Sequence, residues 1–494
     1  MSVLMLSVSG CRGVVGESLT PETIARFAGS YGTWLRNRAT GTRVRVILGR
    51  DGRAGSEMVR SAAVAGLAGA GCDVVDLGVA MTPTTAVMTD LYSRGERGEK
   101  GFYSAGIILT ASHNPQQWNG LKCLLAEGGE LGSAACAPPA TCANEIISLF
   151  RSGQPVAVPW DKVGRCVSDP SALDIHIARV IAALEEFGLT ADASTLGEGL
   201  KVAVDSVNGS GSAGARMLLE ALGCDEVLLL NNDDSGIFPH PPEPTRENLS
   251  APGGLCDAVR SAGCDVGFAQ DPDADRLAII DENGSYIGEE YTLALGARAL
   301  LERAPNVGGS PHVVVTNLST SRMLDDVAAH AGATVLRTPV GEANVVETMK
   351  ARRSIVGGEG NGGVIWPRVA YVRDSLAAMA LTLYLMSPNA AGKGRKRTLS
   401  GIIADMPAYA IEKRKVELLR REDSEPAITK IAAAYANERL DLQDGVRVDF
   451  AAKRAWLHVR PSNTEPIMRL IAEAPTIEVA RAVLDDAASV IGTG

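Results

Sequence analysis

The chain reads as a multidomain α/β protein, and two observations carry that reading. A unit of helix, glycine turn and strand recurs as Ala70-Gly71-Cys72-Asp73-Val74, Leu222-Gly223-Cys224-Asp225-Glu226-Val227, Ala262-Gly263-Cys264-Asp265-Val266 and Ala331-Gly332-Ala333-Thr334-Val335. In each copy glycine closes a helical pattern and the β-branched run after it enters a sheet. The recurrence predicts several α/β domains, with two copies in the second; a common α/β turn without duplication is the other reading. Length is the second observation, since a single core rarely grows past roughly 250 to 300 residues and this chain has 494.

The first domain begins with a helix signal: Thr20 as cap, Pro21 at the first helical position, then Ile24, Phe27, Ala28 and Tyr31 on one face. A strand at 44–48 and a helix from Ser56 follow. The Ala/Pro/Cys-rich stretch 133–142 reads as a loop and 153–169 as a boundary. A second unit runs from a helix at 173–184 to about Ile287, and a third holds a strand at 313–315 and a turn at 338–342. Basic Lys393-Gly394-Arg395-Lys396-Arg397 reads as a solvated hinge before a smaller C-terminal domain. The expected divisions are 1–165, 166–287, 288–390 and 391–494.

Composition excludes several classes. A hydrophobic share of 46% and a charged share of 21% are those of a globular chain. Net charge of -10 argues against a general nucleic-acid binder, so any substrate phosphate must be held by local cations. The apolar start, 1–8, lacks a basic leader, and no run reaches the ~18 apolar residues of a membrane span. Nine cysteines without paired metal spacing read as reduced thiols of the cytoplasm, with Cys72, Cys224 and Cys264 as small apolar fillers.

Four segments carry candidate chemistry. Thr110-Ala111-Ser112-His113-Asn114-Pro115 sets a serine hydroxyl between an apolar strand and a proline-closed turn, exposed to a substrate if it is not simply structural. Asp271-Pro272-Asp273-Ala274-Asp275-Arg276 alternates three carboxylates. Pro272 disfavours a helix, and in an extended segment residues two apart point the same way, so the three converge. A divalent cation relieves their repulsion, and three short carboxylates with open positions suit Mg²⁺. Arg276 stands where an EF-hand loop needs glycine, which sets a Ca²⁺ loop aside although Glu282 falls at the twelfth place. The alternative is a solvated acidic turn.

Gly357-Gly358-Glu359-Gly360-Asn361-Gly362-Gly363 lets backbone approach a ligand, and Glu359 and Asn361 match sugar hydroxyls; a flexible hairpin loop is the alternative. Arg460-Pro461-Ser462-Asn463-Thr464-Glu465-Pro466 offers a cationic fork and neutral donors suited to a phosphate dianion, or else a plain surface turn.

Together, in this order and spacing, the four segments resemble the phosphoserine, metal-binding, sugar-binding and phosphate-binding loops of the α-D-phosphohexomutase superfamily, over essentially the whole chain. Gly10-Cys11-Arg12-Gly13-Val14-Val15-Gly16, Gly49-Arg50-Asp51 and Asn119-Gly120-Leu121-Lys122 agree. The resemblance implies three related α/β domains with mixed sheets and a smaller α+β fourth domain around a central cleft. It implies that phosphorylated Ser112 gives its phosphoryl group to a hexose monophosphate, and that a hexose 1,6-bisphosphate, also the activator, turns over in the cleft. Mg²⁺ would be held by Asp271, Asp273, Asp275 and an oxygen on Ser112, with Arg276 neutralising neighbouring oxygens. Lys122 matches the family's proton-transfer residue; beside Arg12, a desolvated amine is expected to have a lowered pKa and act as base. His113 is expected to be structural, because neighbours at a strand end point apart. Glu359 and Asn361 would hold sugar hydroxyls, and Arg460, Ser462, Asn463 and Thr464 the other phosphate.

Two departures bear on the substrate. Gly-Asn-Gly-Gly follows Glu359 where many relatives carry x-Ser-Gly and histidine, and Glu342 stands where some have histidine. A carboxylate there tilts the reading toward a cationic amino sugar and phosphoglucosamine mutase activity, with phosphoglucomutase or phosphomannomutase activity as the alternative. Further from it stands a non-catalytic sugar-phosphate-binding protein. The expected partner is a phosphorylated hexose or hexosamine, with no nucleic acid and no membrane, for a monomer or homodimer.

Overall fold

A computed structural model describes residues 3–126, 135–153, 157–304, 311–388, 390, 394–461 and 467–492. One strand order is built three times. In the first unit Cys72–Val79, Arg43–Arg50, Phe102–Leu109 and Trp118–Ala126 lie side by side, the first three parallel and the fourth antiparallel. Glu226–Leu230, Lys201–Asp205, Val266–Gln270 and Leu277–Ile280 repeat that order in the second. Thr334–Thr338, Val313–Asn317, Val356–Glu359 and Gly363–Ile365 repeat it in the third. The first sheet is extended at one edge by Gly10–Val14 and Met5–Ser7 and at the other by Cys166–Ser168, with Ala135–Cys136 pairing off it, to eight strands.

The repeated glycines sit where the sequence put them. Gly71, Gly223, Gly263 and Gly332 each follow a helix with φ of 83°, 80°, 64° and 67°, the left-handed conformation that only glycine adopts without cost. Gly71 and Gly332 precede the second strand of their units, and Gly223 and Gly263 both belong to the second unit.

The fourth unit differs: Ala410–Glu417, Ile467–Ala474, Ala455–Pro461, Val446–Phe450 and Arg439–Asp441 form one antiparallel sheet. Helices Ser424–Ala434 and Ile477–Ile491 cover a core of its own. Three α/β units with mixed sheets and a distinct α+β unit are therefore present.

Helix Ser375–Met386 is buried along its whole length and packs against the helices Glu289–Leu301, Ala172–Glu186 and Gly211–Ala221. Its apolar residues join the largest core, which runs through the first three units. Leu399, Ile402 and Met406 enter the same core. Lys396 meets Asp265 at 3.1 Å and Arg397 meets Asp405 at 2.5 Å. Gly394, Arg395 and Lys396 are exposed, as a solvated run should be, but Lys396 tethers the run to the second unit, and 399–406 packs into the core before the fourth unit begins; Lys393 lies outside the described residues. Cys166–Ser168 still pairs with the first sheet, so that unit reaches past 165. The stretch expected as a loop at 133–142 contains a short strand and the start of helix Ala140–Ser152, which Pro139 opens. Among the described residues no helix is long and apolar enough to cross a membrane.

Candidate functional site

The third-to-fourth strand connection of each repeat carries one candidate loop: 110–117 holds Ser112, 271–276 the aspartates and 360–362 Asn361. Equivalent sheet positions thus deliver three different chemistries to one place.

Ser112 leaves the strand pattern with φ 50°, a conformation costing a non-glycine residue about 1–2 kcal/mol. The surrounding bonds over-determine it. Ser112 N donates to Thr110 Oγ1 at 2.8 Å, and buried Arg53 donates to Ser112 O at 2.5 Å and Trp118 O at 2.7 Å. Asp51 accepts from Arg53 Nε at 2.7 Å and from Thr110 Oγ1 at 2.6 Å. The left-handed turn aims Ser112 Oγ at Asp271 Oδ2, 2.9 Å away. It also removes strand alternation, so His113 does not point away: its Nδ1 lies 3.4 Å from Ser112 Oγ. Burial, then the cations Arg276 and Arg12, push the His113 imidazole down to about 3.

The three aspartates converge by a turn rather than by an extended run. Ala274 N donates to Asp271 O at 2.9 Å, and Ala274 has φ 52°. One ligand oxygen from each aspartate falls within 4.8 Å of the others. Thr82 Oγ1 donates to Asp273 Oδ2 at 2.6 Å, Arg276 N to Asp271 Oδ1 at 3.2 Å, and Lys122 and Arg373 to Asp275 Oδ2 at 3.2 and 2.6 Å. Asp273 Oδ1 and Asp275 Oδ1 are buried with no hydrogen-bond donor. Buried orphan acceptors are costly, and two of them facing a third carboxylate and a serine hydroxyl fit a small divalent cation.

The charges follow from this crowding. Burial, then Asp273 and Asp275, holds the Asp271 carboxyl well above the usual carboxylate range. Burial opposes the Asp275 charge too, but Arg373 and Lys122 outweigh it and pull that carboxyl down. For Lys122 burial alone would favour the neutral amine, yet Asp275, Glu342 and Asp273 raise it. The expected low-pKa amine is therefore a charged ammonium here. Arg12, whose pKa burial lowers, donates to Asn114 Oδ1 at 3.3 Å and so reaches the serine loop. Arg276 Nε lies 3.9 Å from Asp275 Oδ1 and its Nη1 4.0 Å from Glu243.

Glu359 ends the third strand of its unit and accepts from Asn317 Nδ2 at 2.8 Å and Arg373 Nη1 at 2.8 Å, with Asn361 Nδ2 at 3.4 Å. Glu342 opens helix Glu342–Arg352, its carboxylate 2.8 Å from Arg373 Nε. That pairing removes the stated reason for an amino-sugar preference, because the Glu342 charge already faces a cation of the protein.

Arg460 closes the strand Ala455–Pro461 with its Nε 3.4 Å from Asp444; Ser462, Asn463 and Thr464 lie outside the described residues. Arg469 pairs with Arg460 across the two strands. Like charges directly opposite are unfavourable without an anion between them. A cavity of about 570 Å³ lies between these strands and the sugar loop, lined by His113, Glu243, Glu359, Asn361, Lys413, Arg460 and Arg469 among others. All four units contribute to it.

Arg373, Thr82, Arg53 and Arg469 escaped the sequence reading. Arg469 alone carried a local signal, a cation nine residues after Arg460 on the next strand-like run; the others act through partners far away in sequence.

The phosphoglucomutase/phosphomannomutase alpha/beta/alpha domains I, II and III match residues 5–138, 180–284 and 289–409, and the C-terminal domain of that family matches 416–490. A probable phosphoglucosamine mutase of Methanopyrus kandleri is 34% identical over 98% of this chain and 96% of its own. A phosphoglucomutase/phosphomannomutase of Thermococcus kodakarensis is 35% identical over 96% of each. The crystal structure of a phosphoglucomutase/phosphomannomutase family protein from Burkholderia thailandensis superposes with a TM-score of 0.80 at 25% identity, covering 99% of this chain and 98% of that one. With all four domains present in order and the serine and aspartate loops brought face to face, the chain belongs to the phosphoglucomutase/phosphomannomutase family and is a phosphohexomutase, an enzyme of intramolecular phosphoryl transfer.

Proposed function

We propose that the enzyme interconverts the 6- and 1-phosphates of a hexose with Ser112 as phosphoryl carrier, and that glucosamine phosphate is its preferred substrate. The observation that carries the reading is the 2.9 Å contact between Ser112 Oγ and Asp271 Oδ2 beside two orphaned aspartate oxygens. Asp271, Asp273, Asp275 and a phosphate oxygen on Ser112 would hold Mg²⁺, which when bound offsets charge on the transferring group.

The remaining steps belong to the chain's own residues. Arg53 and Thr110 fix the serine backbone, so Ser112 Oγ is presented without reorganisation. Lys122, charged between Asp275 and Glu342, gives its proton to Ser112 Oγ as the phosphoryl group leaves and regains one from the attacking sugar hydroxyl, and the second half-reaction runs the same exchange in reverse. Arg12 and Arg276 supply further positive charge around Ser112. Glu359 and Asn361 orient the sugar, while Arg460, Arg469 and the segment 462–464 hold the phosphate that is not reacting. A hexose 1,6-bisphosphate turns over in the cavity between the two half-reactions and, supplied from outside, charges Ser112.

The names of the Methanopyrus kandleri relative and of a further relative from Pyrococcus horikoshii, 32% identical over 98% of the chain, support glucosamine phosphate. Glucose or mannose phosphate is the second reading, favoured by the Glu342–Arg373 pair and by the name of the Thermococcus kodakarensis relative. Initial rates with glucosamine, glucose and mannose 6-phosphates, Mg²⁺ and a catalytic amount of bisphosphate decide between them through relative kcat/KM. Release of free phosphate without isomer would mark a phosphatase, and absence of turnover with all three a binding protein; either outcome overturns the proposal.

A further inference from the structure

Arg373 joins the metal loop, the sugar loop and the start of helix Glu342–Arg352. Its Nη2 lies 2.6 Å from Asp275 Oδ2 in the metal loop, its Nη1 2.8 Å from Glu359 Oε2 at the sugar loop, and its Nε 2.8 Å from Glu342 Oε2 at the mouth of helix Glu342–Arg352. Nη1 also reaches Asn361 Oδ1 at 3.5 Å. Two arms of one planar fork thus donate hydrogen bonds to two carboxylates on different loops, while Nε meets Glu342 as a charge pair without a hydrogen bond, an arrangement that a lysine ammonium could not reproduce.

The backbone that carries this fork is pinned on both sides. Asp374 N donates to Val364 O at 2.8 Å. The Asp374 carboxylate caps the buried helix Ser375–Met386 through Leu376 N at 2.9 Å and Ala377 N at 3.3 Å, and its other oxygen lies 2.9 Å from His176 Nε2. The chain opposite is cut back to make room: a Cβ on Gly363 would stand 2.1 Å from Arg373 Cδ and 2.7 Å from its Cγ. These atoms lie in the middle of a side chain whose far end is hydrogen-bonded to Asp275 and Glu359, so they cannot yield cheaply. Gly363 has an ordinary φ, so its lack of a side chain answers to the neighbouring arginine and not to its own backbone.

We propose that Arg373 is the positioning residue that keeps the sugar loop in register with the metal loop, so that the hydroxyl oriented by Glu359 and the cation held through Asp275 stand at a fixed separation. The role of Arg373 passes through Asp275 and Glu359, the groups it holds. With Lys122 it occupies Asp275 Oδ2, so the unpartnered Oδ1 would be the oxygen to hold the cation. The inference rests on the assignment of Glu359 to the sugar and of the aspartates to the metal.

The test separates the position of the guanidinium from its charge. Gly363→Ala displaces Arg373 and keeps the cation; Arg373→Met removes it. Two readouts are taken on the full-length enzyme: the Mn²⁺ dissociation constant by electron paramagnetic resonance, without sugar, and KM for the best hexose 6-phosphate. Gly363→Ala is expected to weaken both by about tenfold, as loss of partners around metal ligands does. In the double variant the Mn²⁺ dissociation constant should be no worse than in Arg373→Met alone, because a Cβ on Gly363 reaches the metal loop only through the arginine, its 3.2 Å approach to Asn361 Oδ1 bearing on the sugar. A Gly363→Ala enzyme that keeps either constant at the wild-type value, or a double variant whose losses in Mn²⁺ affinity multiply, overturns the proposal. If wild-type protein does not bind Mn²⁺, the metal assignment itself fails and the inference falls with it. Should Gly363→Ala not fold, Arg373→Lys keeps the charge and loses the fork, with about a tenfold rise expected in both constants; no change in either would count against Arg373.

Discussion

Ser112 Oγ donates to Asp271 Oδ2 at 2.9 Å across a sequence separation of 159 residues, so the serine loop of the first unit and the metal loop of the second are one site. Replacing Ser112 with alanine removes the phosphoryl carrier while its backbone contacts to Thr110 and Arg53 persist. Turnover should fall by at least about a thousandfold, as when a nucleophile is removed. Melting temperature and sugar-phosphate binding should stay close to wild type. Residual turnover within tenfold of wild type would place the carrier elsewhere.

Thr82 donates to Asp273 Oδ2 at 2.6 Å and is fully buried. Thr82→Val keeps the shape and deletes the hydroxyl, leaving the Asp273 carboxylate free to rotate. Mn²⁺ or Mg²⁺ affinity by calorimetry should drop about tenfold with little change in KM for the sugar phosphate. An unchanged metal affinity would show that Asp273 needs no such support.

Arg460 and Arg469 face each other on adjacent strands of the fourth unit. Arg460→Ala should raise KM by about tenfold to a hundredfold, the worth of a charge-assisted hydrogen bond, and change kcat much less. Because the variant loses the Asp444 ion pair together with the Arg469 repulsion, its melting temperature should stay close to wild type. A variant with kcat reduced as severely as in Ser112→Ala would contradict a role confined to binding.

Burial and the neighbouring Arg276 and Arg12 hold His113 at about 3, against about 6.5 in an unfolded chain. Below pH 6.5 the unfolded state binds a proton that the folded state refuses, so His113 contributes a loss of stability that grows as pH falls from 6.5 toward 3. His113→Gln should remove that loss. The unphosphorylated variant is expected to lose on the order of 1 kcal/mol less than wild type between pH 7 and pH 5 in denaturant titrations. Equal losses would mean that the imidazole titrates normally in the fold.

The loops were legible because each concentrates residue types that a packed fold rarely places together: a hydroxyl at a strand end, alternating carboxylates, glycines around one glutamate, an arginine beside small donors. The glycine turns were legible because a left-handed helix end has a local cause. What local reading missed was set by partners far along the chain. Strand alternation was the wrong geometry for both Ser112 and the aspartates, since positive φ at Ser112 and Ala274 turns the chain there. The Lys122 amine was misjudged because its carboxylate neighbours come from the second and third units. The tether on the exposed basic run has no local signal, since Asp265, which binds Lys396, lies more than a hundred residues away. The equivalence of the three loops emerged only once the strand order of each sheet was known.

The central claim is that Ser112 carries the phosphoryl group and passes it to the sugar. Peptide mapping by mass spectrometry, on protein charged with hexose 1,6-bisphosphate and then mixed with excess glucosamine 6-phosphate and Mg²⁺, tests it most directly. One phosphate should reside on Ser112 after charging and leave it on addition of the sugar, with bisphosphate appearing in equal amount. A phosphate on another residue, or one that stays on Ser112 while isomer is formed, would contradict the account.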